Sequence, residues 1–394
     1  MAKTCNVALI GQGFMGRTHS NAYLKVAKFF GDLPRVPVMH SVFGMKEENP
    51  EQFAGKWGWQ NASTDWKSLV RNEDIDLVDL VTPNYMHLPP AMEALAAGKA
   101  LATEKPLAGT LSDAREMVAA AKKAKAKTFV WYNYRRCPAV ALAHQLVKAG
   151  KIGRVYHVRC VYLQDWGGPE TPLLWRFQKK LAGSGAHGDL NAHIVDMARF
   201  ITGDEITEIS GAIAETFIKE RDLVASAASG GLGGGKGARK KGRSDVDDAV
   251  LFLARFRKGA AASFEASRLA TGYKNQNGIE VHGEKGAIRF RFEDMNYLDY
   301  YDNTADKKVQ GWSRIICTSA GNHPYVEAWW PDAHILGYEH GFINQAADIM
   351  RVLGGRKPEV PIPDFADAYE TQRVLEAALL SAKNRCAIKM TEVK

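Results

Sequence analysis

The sequence predicts an α/β protein in two parts: an N-terminal doubly wound parallel sheet and a C-terminal α+β domain with a large, mostly antiparallel open sheet. Three observations support this fold class. Short apolar runs alternate with helical patterns over residues 1–133, a glycine-rich turn follows the first run, and later segments alternate between apolar and polar residues. At 394 residues the chain is long enough for two cores. We therefore place the domains at 1–133 and 134–394.

In the first domain, strand-like runs and helical patterns succeed one another along the chain. Short apolar strands separated by helices are typical of a parallel sheet that is covered on both faces. The predicted strands are 5–11, 36–44, 76–84, 100–106 and 127–133, and the predicted helices lie near 15–30, 50–57, 65–72, 87–98 and 111–124.

The second domain begins with a helix, "AVALAHQLVKAG" at 139–150, and the pattern then changes. Alternating segments follow, as expected for antiparallel strands with one solvated face. A long helical pattern, "DFADAYETQRVLEAALLSAKNRC", comes last. The alternating segments include "RVYHVRCVYLQDW", "DDAVLFLARF", "GAAASFEASRL" and "QNGIEVHGEKGAIRFRFE".

The formal net charge of +8 arises largely in one segment, "ASGGLGGGKGARKKGRS" at 228–244. This segment holds five of the 52 Lys and Arg residues and no acid, so the rest of the chain has 47 basic against 44 acidic residues, a net +3. We predict a flexible basic Gly-rich loop there. Because the chain has no helix–turn–helix spacing or aromatic–basic interleaving, we expect no nucleic-acid partner.

The cysteines and apolar runs bear on the compartment. The five cysteines are scattered, odd in number and without a C-x-x-C pair, which argues against a disulfide framework and a cysteine zinc site. No apolar run approaches the roughly 20 residues that cross a bilayer, and the start of the sequence has no signal-peptide pattern. We expect a cytoplasmic protein without a membrane partner.

A glycine motif follows the first predicted strand. In "ALIGQGFMGRTHSNAY", Gly11, Gly13 and Gly16 form G-x-G-x-x-G at a strand-to-helix turn, with Phe14 and Met15 at the start of the helix. The first glycine permits the tight turn, the second lets backbone approach a pyrophosphate, and the third allows close helix–strand packing. The helix N-terminus supplies amide donors to phosphates. The motif therefore predicts dinucleotide binding.

The end of the second strand bears on which dinucleotide is bound. An acid usually occupies this position and binds the adenosine ribose. Here "SVFGMKEEN" has Gly44 in its place, followed by Lys46, while Glu47 and Glu48 stand within reach of the ribose. The sequence is thus compatible with NAD and with NADP.

Two further segments carry candidate chemistry. The fourth strand ends in "TEKPLAG", and Lys105 should point into the cofactor crevice because ligands bind at the carboxyl ends of such strands. In "SGAHGDLNAHIVDMARF" (184–200), Asp189, His193 and Asp196 are spaced i, i+4 and i+7 on one helix face. Three interpretations are open for this helix: a metal site that includes His187, an acid–base pair, or a capped helix with an ion pair.

Together these motifs resemble the glucose–fructose oxidoreductase/inositol dehydrogenase (Gfo/Idh/MocA) family. The resemblance implies a Rossmann domain and a C-terminal α/β domain that transfer a hydride between NAD(P) and a hydroxyl of a sugar or cyclitol. It also implies catalytic roles for Lys105, Asp189 and His193, and a Lys105–Pro106 peptide that is often cis. The motifs that carry it are the glycine turn, "TPN" (82–84) with His87, "EKP" (104–106), "NYR" (133–135) and the Asp189/His193 pair. The cofactor contacts that we expect besides the glycine turn are Gly44, Lys46, Thr82, Asn84, His87, Glu104 and Lys105.

Several segments resemble relatives that act on pyranosides, anhydrosugars or inositols. They are "YLQDW", "WRFQKKLAGSGA" and "YVEAWWPDAHILGYEHGF". Aromatic side chains there offer stacking faces for a sugar ring. The expected substrate-binding residues are Tyr134, Trp166, Trp175, Arg176 and Tyr338.

The acid–base interpretation of the helix fits this resemblance. Hydride transfer from an alcohol to a nicotinamide needs no metal, so we expect no metal ion. His193 would remove the hydroxyl proton, Lys105 would stabilise the developing alkoxide, and Asp189 would orient His193 or the substrate at the domain interface. For Asp196 we favour pairing with a basic neighbour.

Three functions follow from these residues. The first is an NAD(P)-dependent dehydrogenase of sugars, glycosides, anhydrosugars or cyclitols. The second is a redox-assisted glycosidase with tightly bound NAD, in which transient oxidation at C3 permits elimination. The third is a non-catalytic nucleotide sensor, which would not need Lys105, Asp189 and His193. Because an open sheet leaves a broad face exposed, we also expect a homo-oligomer, either a dimer or a tetramer.

Overall fold

A computed structural model describes residues 2–224 and 237–394 of the chain. It divides into two compact units, one with residues 1–133 and 337–369 and one with the described residues of 134–225, 235–336 and 370–394. The predicted second domain, 134–394, therefore differs from the structure at Gly337–Tyr369. This segment packs with the first unit because the helix Tyr338–Leu353 lies against the helix Phe14–Phe29.

The first unit contains a six-stranded sheet in the order β3-β2-β1-β4-β5-β6, and all its strand pairs are parallel. The prediction of a doubly wound parallel sheet is confirmed. Its strands are β1 (Lys3–Ile10), β2 (Arg35–Phe43), β3 (Asn61–Ser63), β4 (Leu77–Leu80), β5 (Ala100–Thr103) and β6 (Thr128–Val130). The helices between them are α1 (Phe14–Phe29), α2 (Pro50–Trp57), α3 (Trp66–Arg71), α4 (Leu88–Ala96) and α5 (Leu111–Ala124).

The second unit contains a nine-stranded sheet in the order β16-β15-β14-β13-β7-β12-β11-β8-β17. Its neighbours are antiparallel except β7 and β12, so the predicted mostly antiparallel sheet is confirmed. Its strands are β7 (Val155–Leu163), β8 (Ile206–Glu215), β11 (Ala249–Phe256), β12 (Ala261–Ser267), β13 (Gln276–Gly283), β14 (Gly286–Arg291), β15 (Tyr297–Asp302), β16 (Trp312–Ile316) and β17 (Ile388–Lys389). A separate pair is formed by β9 (Glu220–Val224) and β10 (Gly237–Arg243). The remaining α-helices among the described residues are α6 (Pro138–Lys148), α7 (Lys179–Ala182), α8 (Ala192–Thr202), α9 (Tyr338–Leu353) and α10 (Phe365–Asn384).

The strand β10 corrects part of the loop prediction at 228–244. Residues 228–236 lie outside the described residues, but Gly237–Arg243 is a strand paired with β9, so the prediction of a loop is wrong there. The pairing places Lys241 opposite Asp222, and opposite charges facing one another across two strands are stabilising. Lys241, which belongs to the segment predicted as a solvated loop, thus lies opposite an acidic residue of β9.

Two further findings concern the described chain. Among residues 2–224 and 237–394, no helix is both long and apolar enough to cross a membrane. All five cysteines are free thiols, and only Cys386 is exposed. Burial raises the pKa of Cys5 and of Cys317 to about 12, so both thiols stay protonated at neutral pH.

Candidate active site

The glycine turn between β1 and α1 has the geometry of a phosphate cradle. Gly11 has a φ of +116°, a backbone conformation that residues other than glycine rarely adopt. A Cβ atom on Gly16 would lie 2.7 Å from the Gly11 carbonyl oxygen, whereas one on Gly13 would meet nothing within 4 Å. Gly16 therefore permits close packing, and Gly13 leaves open space at the helix N-terminus. These residues fit a dinucleotide pyrophosphate.

The carboxyl end of β2 lies beside this turn. A Cβ atom on Gly44 would lie 2.5 Å from Cδ of Gln12, so a larger residue there would have to displace the Gln12 side chain. Lys46 is exposed and begins a short 3₁₀ helix, Lys46–Glu48. The Glu48 carboxylate accepts a hydrogen bond of 2.9 Å from the backbone N–H of Met45 and so caps its own turn. The strand end thus carries a glycine and an exposed lysine.

The end of β4 is followed by Thr82, Asn84 and His87. The Thr82 hydroxyl is buried and has no hydrogen-bond partner among the described residues, which suits a ligand contact. Asn84 begins the 3₁₀ turn Asn84–Met86. His87 is fully buried, with ring nitrogens 3.2 Å from the Leu107 carbonyl oxygen and 3.0 Å from that of Thr82. Burial lowers its pKa. The ring therefore joins two strand-end loops, and the expected cofactor contact by His87 stays a prediction.

A buried charge network lies below the end of β5. The His19 ring on α1 is 2.8 Å from the Asp79 carboxylate through Nδ1 and 3.0 Å from the Glu104 carboxylate through Nε2. The Tyr23 hydroxyl and the Trp131 indole N–H also donate to Asp79, at 2.8 and 3.0 Å. The Glu104 carboxylate thus points inward to His19, and the expected cofactor contact by Glu104 stays a prediction.

His19 carries a proton in this network. Burial alone lowers the pKa of His19, but Asp79 and Glu104 outweigh it and raise the pKa to about 9. Two carboxylate partners require both ring nitrogens to donate, which only the imidazolium does. His19 and Asp79 are not among the predicted site residues, although a carboxylate inside the apolar strand "LVDL" indicates that a buried partner exists.

Lys105 directly follows this buried carboxylate. It is half-buried, and its backbone N–H donates a hydrogen bond of 3.1 Å to the Glu104 side chain. The Lys105–Pro106 peptide is cis, as the resemblance implied. The end of β5 therefore places the Glu104 carboxylate inside the unit and leaves the next residue, Lys105, half-buried.

In the second unit, Asp189 and His193 lie on two successive helical segments. Asp189 belongs to a π-helical turn, His187–Asn191, which continues into α8 with His193. The Asp189 carboxylate accepts a hydrogen bond of 3.0 Å from Arg268 and lies 3.8 Å from the Arg176 guanidinium. Two cations therefore lie beside one carboxylate, an arrangement that suits orientation better than proton abstraction.

The His193 ring lies against two tyrosines. Its centroid is 4.6 Å from that of Tyr134 and 5.9 Å from that of Tyr162, and its residue is 8% exposed. The Tyr134 and Tyr162 hydroxyls are 2.8 Å apart. Burial is the main cause that raises the pKa of Tyr162, so this hydroxyl stays protonated and can donate. His193 is thus held in a largely apolar, aromatic environment.

The other polar residues of this helix have structural partners. The Asp196 carboxylate accepts a hydrogen bond of 2.9 Å from Arg135, which confirms its predicted pairing with a basic residue. The His187 Nε2–H donates to the Leu375 carbonyl oxygen at 2.8 Å, and its Nδ1 accepts from Asn191 at 2.9 Å. These contacts do not converge on a metal site. In the described part of the chain, no group of three or more His, Cys, Asp and Glu residues is arranged to hold a metal ion.

The expected substrate residues divide between the units. Trp166, Trp175 and Arg176 are half-buried in the second unit, where the Arg176 guanidinium lies 4.5 Å from the Trp175 ring centroid. Tyr134 belongs to the same unit, 4% exposed. Tyr338 instead begins α9 in the first unit.

Three polar residues that were not predicted as site residues lie at the adjoining ends of β7 and β13. Gln164 donates to Asn275 at 2.7 Å and accepts from the Trp166 indole N–H at 2.6 Å. Asn277 is fully buried opposite Tyr162, and neither atom of its amide has a partner among the described residues. Such groups can bind substrate hydroxyls. The sequence pattern could have identified them, because they occupy the inward-facing positions of alternating strands.

Two family models match the chain. The model described as "Oxidoreductase family, NAD-binding Rossmann fold" matches residues 5–132. The model described as "GFO/IDH/MocA C-terminal domain" matches residues 140–289. Together they confirm the predicted NAD-binding Rossmann domain and the predicted C-terminal domain of the GFO/IDH/MocA type.

Individual relatives match over nearly the whole chain. Levoglucosan dehydrogenase of Pseudarthrobacter phenanthrenivorans is 38% identical over 98% of this chain and 98% of the relative. A crystal structure of an oxidoreductase domain protein from Kribbella flavida is 46% identical, with a TM-score of 0.90 over 99% of this chain and 100% of that chain. The complex of levoglucosan dehydrogenase with NADH and levoglucosan is 37% identical, with a TM-score of 0.90 over 98% and 100% of the two chains. This chain therefore belongs to the GFO/IDH/MocA oxidoreductase family, and its first unit is an NAD-binding Rossmann domain.

Proposed function

We propose that the protein is an NAD-dependent dehydrogenase that oxidises a secondary hydroxyl of a sugar, with an anhydrosugar such as levoglucosan as the preferred substrate class. The observation that carries the proposal is His193, seated against Tyr134 and one helical turn from an ion-paired Asp189. The full-length similarity to levoglucosan dehydrogenase supports the substrate class. The exposed Lys46 leaves NADP as a second cofactor to test.

The roles of the residues follow from their chemistry. NAD, when bound, supplies the nicotinamide that accepts the hydride from the carbinol carbon. His193 accepts the hydroxyl proton as the carbonyl forms, because imidazole titrates near neutral pH. The Lys105 ammonium stabilises the negative charge that develops on the substrate oxygen. Asp189, held beside its two arginines, orients the substrate hydroxyl or His193.

Site-directed variants test these roles. Loss of a positioned proton-transfer group typically costs about 10²–10⁴-fold in rate, so Lys105→Ala and His193→Ala should each lower kcat by that factor. The double variant should lose far less than the product of the two factors, because residues that act on one hydroxyl do not contribute independently. The rate of steady-state NADH formation with levoglucosan, other anhydrosugars and inositols gives kcat for the two single variants and the double variant. Near-normal turnover by His193→Ala would refute the proposal.

The same assay separates dehydrogenation from redox-assisted glycosidase chemistry. A dehydrogenase releases one NADH for each carbonyl product, whereas transient oxidation followed by elimination regenerates the cofactor and releases none. We expect equal amounts of NADH and ketone from levoglucosan. Cleavage of a glycoside without net NADH would identify the glycosidase instead.

We also propose a cytoplasmic homo-oligomer, either a dimer or a tetramer. The support is the solvent-facing side of β8 and β11, where Ile213, Leu251 and Leu253 are 55%, 38% and 54% exposed on adjacent strands. Contiguous apolar side chains on such a face are typical of association surfaces. The free thiols suit a reducing compartment. Light scattering should report an oligomer that Leu253→Asp dissociates, and a monomeric wild-type protein would refute the proposal.

A further inference from the structure

Arg268 occupies a position that the proposed chemistry leaves unexplained. It follows β12 in the second unit, and its side chain is 1% exposed. Its Nη2 donates to the Asp189 carboxylate and to the Gly185 carbonyl oxygen, each at 3.0 Å. A charged side chain is costly to bury unless it is paired, so its interactions have to offset that cost. The same side chain therefore fixes both Asp189 and the start of its helix.

Arg268 also binds residues 166–177, which we name the aromatic segment. Its Nη1 donates to the Arg176 carbonyl oxygen at 3.1 Å, and the Gly167 N–H donates to the Arg268 carbonyl oxygen at 3.1 Å. The guanidinium carbon lies 5.2 Å from the Trp166 ring centroid and 5.5 Å from that of Phe177. Trp166, Trp175 and Arg176 in this segment are among the residues expected to contact a sugar.

We propose that Arg268 is a positioning residue that holds the Asp189 carboxylate in register with the aromatic segment. Its planar fork reaches both at once, which the compact ammonium of a lysine cannot reproduce. The inference rests on the proposed role of Asp189 in catalysis. It adds that Arg268 is the residue through which the packing of the aromatic segment affects the position of the Asp189 carboxylate.

The chain offers a matched control in Arg221. This guanidinium is equally buried and holds the same aromatic segment, donating to the carbonyl oxygens of Gly167 and Gly168 at 2.8 Å each. Its carboxylate partner is Asp248 at 3.5 Å rather than Asp189. Arg221→Gln therefore removes contacts to the aromatic segment without removing a direct contact to Asp189.

The test compares kcat and KM for Arg268→Gln, Arg268→Lys, Arg221→Gln and Asp189→Asn with NAD and levoglucosan. A misplaced catalytic group costs up to about 10²-fold, so Arg268→Gln should lower kcat by about 10- to 100-fold. Arg221→Gln should mainly raise KM. Arg268→Lys should recover part of kcat because it keeps a cation beside the carboxylate. Equal kcat losses in Arg268→Gln and Arg221→Gln, or an unchanged kcat in Arg268→Gln, would overturn the inference.

The pH profile supplies a readout that a merely structural role would not move. The acidic limb of the kcat profile reports protonation of His193, the proposed proton acceptor. Removing the Arg268 cation leaves the negative charge of Asp189 less compensated one helical turn from His193, which favours the imidazolium, so this limb should move to higher pH in Arg268→Gln. Arg176 stays 3.8 Å from the carboxylate and limits the size of that shift. The limb should stay in place in Arg221→Gln, and its movement in both variants would contradict the inference.

Thermal unfolding separates failure of this inference from failure of the proposed function. If Arg268 binds Asp189 directly, the Tm losses of Arg268→Gln and Asp189→Asn should be less than additive in the double variant. This readout needs no turnover. Additive losses would overturn the inference, whereas a wild-type protein that oxidises no sugar would refute the proposed function and leave the unfolding result standing.

Discussion

Replacing His19 by glutamine should remove a pH-dependent part of the stability of the first unit. His19 is fully buried between Asp79 and Glu104, and its pKa is raised from 6.5 to about 9. At about 1.36 kcal/mol per pKa unit, this rise corresponds to roughly 3 kcal/mol of unfolding free energy.

The sign follows from the direction of the shift. Because the folded protein holds the proton more tightly than the unfolded chain, the stabilisation is fully present below pH 6.5 and is lost as the pH rises through about 9. We therefore expect the wild-type protein to lose most of this free energy between about pH 7 and about pH 10. Tyr23, the hydroxyl partner of Asp79, stays neutral over this range because burial and Asp79 raise its pKa well above 10.

Urea unfolding at several pH values measures the effect. The loss of stability between neutral and alkaline pH should be smaller in His19→Gln by roughly 3 kcal/mol. His87→Gln is the matched control, since His87 is also fully buried in this unit but contacts carbonyl oxygens and has a lowered pKa. It should keep the wild-type pH dependence. Equal pH dependence in His19→Gln and the wild type would refute the reasoning.

Three other changes have defined outcomes. Gly13→Val should weaken NAD(H) and NADP(H) binding by about tenfold or more with an unchanged Tm, because its side chain enters open space at the phosphate cradle; unchanged titrations with both nucleotides would contradict this. Gly16→Ala should instead lower stability by about 1–3 kcal/mol, since its Cβ meets the Gly11 carbonyl oxygen, and calorimetry would detect the loss. Asp196→Asn should cost about 3–5 kcal/mol in urea unfolding by leaving the Arg135 cation buried without its partner charge; a change below about 1 kcal/mol would show that the pair contributes little.

The parallel strands are predictable because burial leaves a continuous apolar pattern. Val7–Ile10 in β1 are fully buried, as expected for a strand covered on both faces. Strand β3, "NAS" at Asn61–Ser63, is too short and polar to produce such a pattern and exists through its pairing with β2. Strand β10 likewise depends on its partner β9. Local patterns thus identify central strands and miss strands that depend on pairing.

The residues of the candidate site also fall into those that local sequence predicts and those that depend on distant partners. The glycine turn and Lys105 are local features of a strand end, so their positions follow from sequence. The partners of Asp189 and His19 do not, because Arg268 is 79 residues from Asp189 and Asp79 is 60 residues from His19 along the chain. Such pairs form only when the fold brings distant strands and helices together.

The π-helical turn at His187–Asn191 makes the placement of Asp189 depend on chain length. A π turn contains about one residue more than an α-helical turn. Deleting one residue between Asp189 and His193 would let the segment wind as an ordinary α-helix and rotate Asp189 by about 100° around the axis, away from Arg268. Point substitutions cannot reproduce that rotation. In evolution, the rotational placement of this carboxylate relative to Arg268 would therefore change through insertion or deletion of a single codon, while the core of the helix stays intact.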